Sequence, residues 1–400
     1  MNAELGKQLS EKILGAGFSI RELDWLTNLH ALILASDISA NYFDLLDAAL
    51  KQPQLFCQKP KTLNDNSERS AALLGLTKAQ FTAAALKQPQ LFCQKPETIN
   101  DKVERSAALL GLTKTQFTAV ALKQPPLFYQ KPETLHDRVG RSAALLGLTK
   151  TQFTAAALKQ PQLFYQKPET HNDNVERSAA LLGITKTQFT AAALKQPPLF
   201  CQKPETLNDN VERSAALLGL TKTQFTGAAL KQPPLFYQKP KTLSDNVERG
   251  AALLGITKTQ FTAAALKQPP LFCHKPETLN DKKPYILRIR QELGEAANFA
   301  EILQKIPVSI CYSRNRLHAR YVLAKLGLKR GAFSSLVLLS NAKASALIID
   351  HFVKQIERTG TGSRALQVMH AQGLIATLSS GIAPIERPPH RHRPFGASPR

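Results

Sequence analysis

The string Lys-Gln-Pro-x-Leu-Phe begins at Lys51, Lys87, Lys123, Lys159, Lys195, Lys231 and Lys267, at a fixed spacing of 36 residues. A period of that length marks stacked supersecondary units. One such unit cannot bury its own apolar face, so its neighbours cover it and the core grows lengthwise. The chain of 400 residues is therefore read as one repeat array with flanking segments rather than as two or three globular domains. The expected divisions are an N-terminal helical cap over 1–45, seven near-identical repeats over 46–281, and diverged repeats over 282–355. A basic tail follows over 356–400, and its Pro, Gly, Arg and His content reads as disordered.

One repeat, residues 77–113, predicts helix, proline turn, helix. Thr77-Lys78-Ala79-Gln80 has the form of a capping box, in which the Thr hydroxyl and the Gln side chain bond each other's backbone amides. The first helix should run through Phe81, Ala84, Ala85 and Leu86 and stop before Pro89, which has no N–H to donate. Leu91 and Phe92 then plug the core from a short turn. Pro96 opens the second helix, Glu97 suits its positive end, and Ile99, Val103, Ala107 and Leu110 form a stripe at helical spacing. Gly111 closes it. The fold class is all-α: a solenoid of either hand, curved, with a basic concave face.

Charge speaks to partners. Lys and Arg number 52 against 30 Asp and Glu, a formal net charge of +22. Residues 1–50 are net acidic, with 3 basic and 7 acidic side chains. Residues 51–281 hold 30 and 17, and residues 282–400 hold 19 and 6. The excess over the repeats and the C-terminal part is the footprint of a polyanion binder. The five cysteines make no metal or disulfide framework: Cys57, Cys93, Cys201 and Cys273 share one repeat position with Tyr129, Tyr165 and Tyr237. A ligand site would not alternate with tyrosine, and the pattern suits a reducing compartment. Met1 to Gly17 lacks the basic flank and apolar core of a secretory signal, and the run Leu26–Leu34 is too short to span a bilayer.

The order Leu-Gly-Leu-Thr, helix, Pro-x-Leu-Phe, Lys-Pro-Glu-Thr-Leu, Val-x-Arg, Leu-Leu-Gly resembles that of the mitochondrial transcription termination factor (mTERF) family. The C-terminal part agrees with it. Ile306-Pro307 repeats the helix-ending proline, Cys311 to Arg320 has the family's aromatic-serine start with two arginines four apart, and Leu338 to Phe352 is similar to its closing segment. The resemblance covers roughly residues 40–355. This chain departs from the family in the near-identity of its repeats and in Ala319, where a proline normally precedes the second arginine. The resemblance implies a curved helical solenoid that binds nucleic acid, most often duplex DNA, in transcription or its termination.

Three groups of cations are candidate phosphate contacts. Lys78, Lys114, Lys150, Lys186, Lys222 and Lys258 follow the Thr caps, against the helix dipole, where Thr hydroxyl, free amides and Lys together would cradle a phosphate. Arg69, Arg105, Arg141, Arg177, Arg213 and Arg249 lie off the apolar stripe of the second helix, and the competing role is an i,i+4 pair with an Asp such as Asp101. Arg288, Arg290, Arg314, Arg316 and Arg320 form a denser C-terminal group flanked by Tyr312 and Tyr321. The lysines ending the first helices, from Lys51 to Lys267, are read as dipole partners only. Asn66, Lys102, Arg138, Asn174, Asn210 and Asn246 vary between copies and are of types that read bases, although drift after duplication gives the same variation.

No catalytic constellation stands out: the histidines do not recur, and the chain has no phosphate-binding Gly-rich loop, His-Glu-x-x-His or nucleophile elbow. The expected protein is a non-enzymatic, monomeric nucleic-acid binder without cofactor or metal, with duplex DNA favoured over RNA and no membrane attachment. A bacterial cytoplasmic or organellar location is expected, and the sequence leaves export to a host cell open. A protein-interaction scaffold or exported effector on the same solenoid, and an RNA-binding repeat protein, stand as alternatives.

Overall fold

The computed structural model describes residues 7–8, 11–12, 14–17, 42–295, 298–328 and 333–359. The proposed tail from residue 360 onward, and most of the N-terminal cap, lie outside the described residues. The chain forms two compact units, Met1–Glu212 and Arg213–Arg400. Every regular element described is helical.

In the first unit the repeat grammar is explicit. Thr77 caps the helix Lys78–Lys87, accepting from the Gln80 amide at 3.2 Å while Gln80 Oε1 accepts from the Thr77 amide at 3.0 Å. The same box opens Lys114–Lys123, Lys150–Lys159 and Lys186–Lys195. Proline stops each helix, because its nitrogen has no proton to extend the ladder. A 3₁₀ turn follows, Pro89–Cys93 in this copy, and drives Leu91 and Phe92 into the core. The lysine before the next proline is extended, at φ −66° and ψ 136° for Lys95, because the proline ring disfavours helical backbone there. The second helix Pro96–Leu110 buries Ile99, Val103 and Ala107, while Leu110 is half-buried.

Gly111 ends that helix at φ 67°, a left-handed conformation that costs a residue with a Cβ roughly 1–2 kcal/mol. Its amide bonds the Ala108 carbonyl, and the Leu112 amide bonds Ala107 at 2.8 Å, the two bonds of a Schellman cap. Second helices then pack side by side, Pro60–Leu74 against Pro96–Leu110, Pro132–Leu145 and Pro168–Leu182 in turn. First helices do the same through small side chains such as Ala84 and Ala85.

The second unit repeats this through Lys222–Lys231, Pro240–Leu254 and Lys258–Lys267. It then departs in one place. The helix beginning at Pro276 stops at Asn280 and resumes as Lys283–Glu292, because Pro284 cannot donate to the carbonyl one turn back. Beyond it the grammar returns in diverged form. The helix Phe299–Lys305 is stopped at Ile306-Pro307, and Ser313 caps Arg314–Lys325 by accepting from the Arg316 amide. The last helix described is Asn341–Thr359, so helix continues past the tail boundary expected at 356.

Candidate nucleic-acid interface

Each repeat has two edges, and they treat positive charge differently. At the glycine edge, where one second helix ends and the next first helix begins, the cap lysines other than the exposed Lys150 are half-buried. Lys114 meets Glu104 at 2.8 Å, Lys186 meets Glu176 at 2.9 Å and Lys258 meets Glu248 at 2.7 Å. The glutamates are held below the usual carboxylate range by these hydrogen bonds and charges. Gly140 replaces the glutamate in one copy, and Lys150 there lies 3.0 Å from His136 Nε2. Lys78 and Lys222 also interact with neighbouring groups. The expected phosphate cradle is thus corrected at Lys114, Lys186 and Lys258: the Thr hydroxyl and the third amide are joined in the capping box, and the lysine is bound to a carboxylate.

The arginine row is paired too, but not as the i,i+4 reading had it. Arg69 meets Glu97 at 2.6 Å, and Arg105, Arg141, Arg177 and Arg249 bond Glu133, Glu169, Glu205 and Glu277, 28 residues on in the following repeat. Arg105 also approaches the Asp on its own helix, Asp101 at 3.7 Å. Arg213 likewise has an interaction with neighbouring groups. These pairs are solvent-exposed, with about two thirds of the Arg141 side chain accessible at 68%, so each contributes about 0–1 kcal/mol. They form an exposed ladder between repeats.

The C-terminal arginines divide. Arg320, 1% exposed, is a core residue, so it is corrected from surface contact to structural strut: its guanidinium donates to the Leu339 and Arg316 carbonyls. Burial, with Arg316 beside it, lowers its pKa to about 10. Arg316 lies 3.5 Å from the centre of the Tyr312 ring and donates to Leu339 as well. Arg290 pairs with Glu295 at 3.0 Å and Arg314 with Asp281 at 2.5 Å. Arg288 is exposed, with no ion pair among the described residues.

Three of the variable positions, Lys102, Arg138 and Asn174, are engaged in joints between repeats. Lys102 donates to the Tyr129 carbonyl at 3.3 Å and lies over the Tyr129 ring at 5.5 Å. Arg138 donates to the Phe164 and Tyr165 carbonyls, each at 3.2 Å, and Asn174 donates to Phe200 at 3.4 Å. Lys282 repeats the arrangement with Ile310 at 3.1 Å. These donors satisfy carbonyls of the next turn. They are not poised at an open groove.

The opposite edge, around the 3₁₀ turns, is where positive charge is left over. Lys51, Lys87, Lys123, Lys159 and Lys195 close the first helices of the first unit. Lys59, Lys95, Lys131, Lys167 and Lys203 stand eight residues later, before the prolines of the second helices. All ten are exposed, and none has an ion pair among the described residues. Sequence reading set the first row aside as dipole partners and passed over the second. The signal was present: Glu104 and, in the following repeat, Glu133 match Lys114 and Arg105, which leaves Lys87 and Lys95 without an ion pair among the described residues.

An mTERF family model matches residues 109–342, more than half of the chain. The chain belongs to the mTERF family. Among curated proteins no significant match is found. This mTERF protein joins repeats over most of the matched span to the diverged C-terminal segment, the two parts on which the resemblance rested.

Other chemistry is sparse. Burial raises the thiols of Cys201 and Cys311 to about 11 and also raises that of Cys93, which makes them poor nucleophiles. No group of three or more metal-ligating side chains occurs among the described residues. An open cavity of about 400 Å³ in the second unit is lined by Leu217, Leu218, Ala263 and Leu266, with Lys258 its only titratable group.

Proposed function

We propose that this mTERF protein binds nucleic acid without chemically altering it, favours duplex DNA, and acts through that binding in transcription or its termination. The observation that carries the reading is the turn edge. Ten exposed lysines of the first unit have no ion pair there among the described residues, while at the glycine edge Lys114 and Lys186 are paired with Glu104 and Glu176. A protein scaffold gains nothing evident from such an excess, whereas a chain of phosphates is met by it. A second reading, single-stranded RNA, is favoured by Tyr129 and Tyr165, which are 41% and 50% exposed and lie two residues from Lys131 and Lys167. Exposed aromatics among lysines suit unstacked bases.

Titrating the full chain against a fluorescent DNA duplex and against single-stranded RNA, each at several salt concentrations, separates these. Duplex DNA is expected to bind more tightly, with affinity falling steeply as salt rises. Tighter binding to the RNA would shift the function to the second reading. Salt-independent or absent binding to both would end the nucleic-acid reading.

A further inference from the structure

We infer that the turn edge reads the phosphate backbone and not the bases, so that the array is a clamp indifferent to sequence. The inference rests on the nucleic-acid reading above and adds the mode of recognition.

Two observations carry it. Lys87, Lys123 and Lys159 recur at one position and Lys95, Lys131 and Lys167 at another, exposed and without carboxylates. Lysine presents a point charge on a flexible stem. It neutralises phosphate well and, without a fixed fork of donors, discriminates bases poorly. Adjacent helical layers lie about 8–10 Å apart, so three repeats offer the same pair of cations again and again along a polymer whose charge is itself uniform.

The second observation concerns the residues that would otherwise spell a code. Lys102, Arg138 and Asn174 stand at the position that differs between copies, where Arg and Asn have base-reading chemistry. Each instead donates to a backbone carbonyl of the next turn. The donor changes in length from Lys102 and Arg138 to Asn174 and still reaches a carbonyl 26 or 27 residues on, that of Tyr129, Tyr165 and Phe200. Variation between copies is therefore accommodated inside the joint.

The test uses the full chain and two 24-base-pair duplexes of equal composition and unrelated sequence. The wild-type protein should bind both within about threefold. Replacing the six lysines by Gln should lower the slope of log affinity against log salt by about 5, since each lost phosphate contact removes roughly 0.9. A second variant with only Lys87, Lys123 and Lys159 changed, expected to lose about half as much, covers the case in which the first fails to fold. Lys102→Asn with Arg138→Asn should leave the ratio between the two duplexes unchanged. A wild-type preference above tenfold that moves with the 102/138 variant would overturn the inference while leaving nucleic-acid binding intact. So would an undiminished slope in both lysine variants. No binding of the wild-type chain to either duplex would overturn the parent reading together with the inference.

Discussion

The two ends of the first helix carry a lysine each, and the fold gives them opposite fates. Lys114, at the start, is half-buried and tied to Glu104, whereas Lys123, at the end, is exposed and faces no acid. The helix dipole accounts for the difference, because a cation is disfavoured at the N-terminus and favoured at the C-terminus. The glutamate compensates the unfavourable end. The favourable end needs no compensation, so its charge remains available to a partner. A cation that the fold already satisfies says little about function, while one that it leaves unmatched is informative.

Charge reversal gives the largest expected difference between the edges. Changing Lys87, Lys123 and Lys159 to Glu should weaken nucleic-acid binding by at least about a hundredfold at low salt, since three cations become three anions beside the backbone. Changing Lys114, Lys186 and Lys258 to Gln should alter it by less than about threefold, because these lysines are already neutralised by Glu104, Glu176 and Glu248. Fluorescence anisotropy on one duplex measures both. Equal losses would erase the distinction between the edges.

The comparison also separates what the sequence could disclose. The Thr77 box, the stop at Pro89 and the left-handed Gly111 were all readable because each depends on residues within a turn of chain. The Arg105–Glu133 ladder and the Lys102–Tyr129 joint were not, because their partners lie 28 and 27 residues on and meet only when helices stack. Local spacing offered Arg105 a plausible partner in Asp101, and the neighbouring repeat supplied a better one. Arg320 was misplaced for the same reason. Its spacing from Arg316 was correct, but the Leu339 carbonyl that holds it inside belongs to a later element.

The repeats are nearly interchangeable, and His171 marks one that is not. It occupies the core position of Leu135 and Leu207, is fully buried, lies 3.2 Å from Ser142 and has no partner at Nε2. Burial first, and Arg138 second, lower its pKa from 6.5 to about 4. Between those values the unfolded chain holds more protons than the folded one, so stability falls as the pH drops through that window and is fully present above it. The loss should reach up to about 3 kcal/mol by pH 4. Urea unfolding at pH 7 and at pH 4.5 should show the shift, and His171→Leu should remove its contribution. A variant as acid-sensitive as the wild type would mean that other groups govern the window.

A smaller effect tests the glycine edge as structure. Gly111→Ala places a Cβ on a residue at φ 67°, with nothing within 4 Å of it, so the cost is conformational alone. The expected loss is about 1–2 kcal/mol in urea. Nucleic-acid affinity should not change under conditions where the variant is folded, because the unmatched lysines lie at the other edge.

The smallest effect is expected at the arginine ladder, and it is the sharpest test of whether pairing removes a cation from function. Arg105→Gln breaks the exposed pair with Glu133, side chains 55% and 57% accessible, and should cost at most about 1 kcal/mol, less at high salt. The same substitution should leave affinity within about twofold of the wild type. Arg105 and Lys123 belong to adjacent helices and carry equal charge, so a lysine variant that loses binding beside an arginine variant that does not would isolate the missing carboxylate as the difference. If Arg105→Gln weakened binding as much as Lys123→Gln, the ladder would have to open when nucleic acid arrives. Glu133→Gln would then tighten binding by freeing the arginine beforehand.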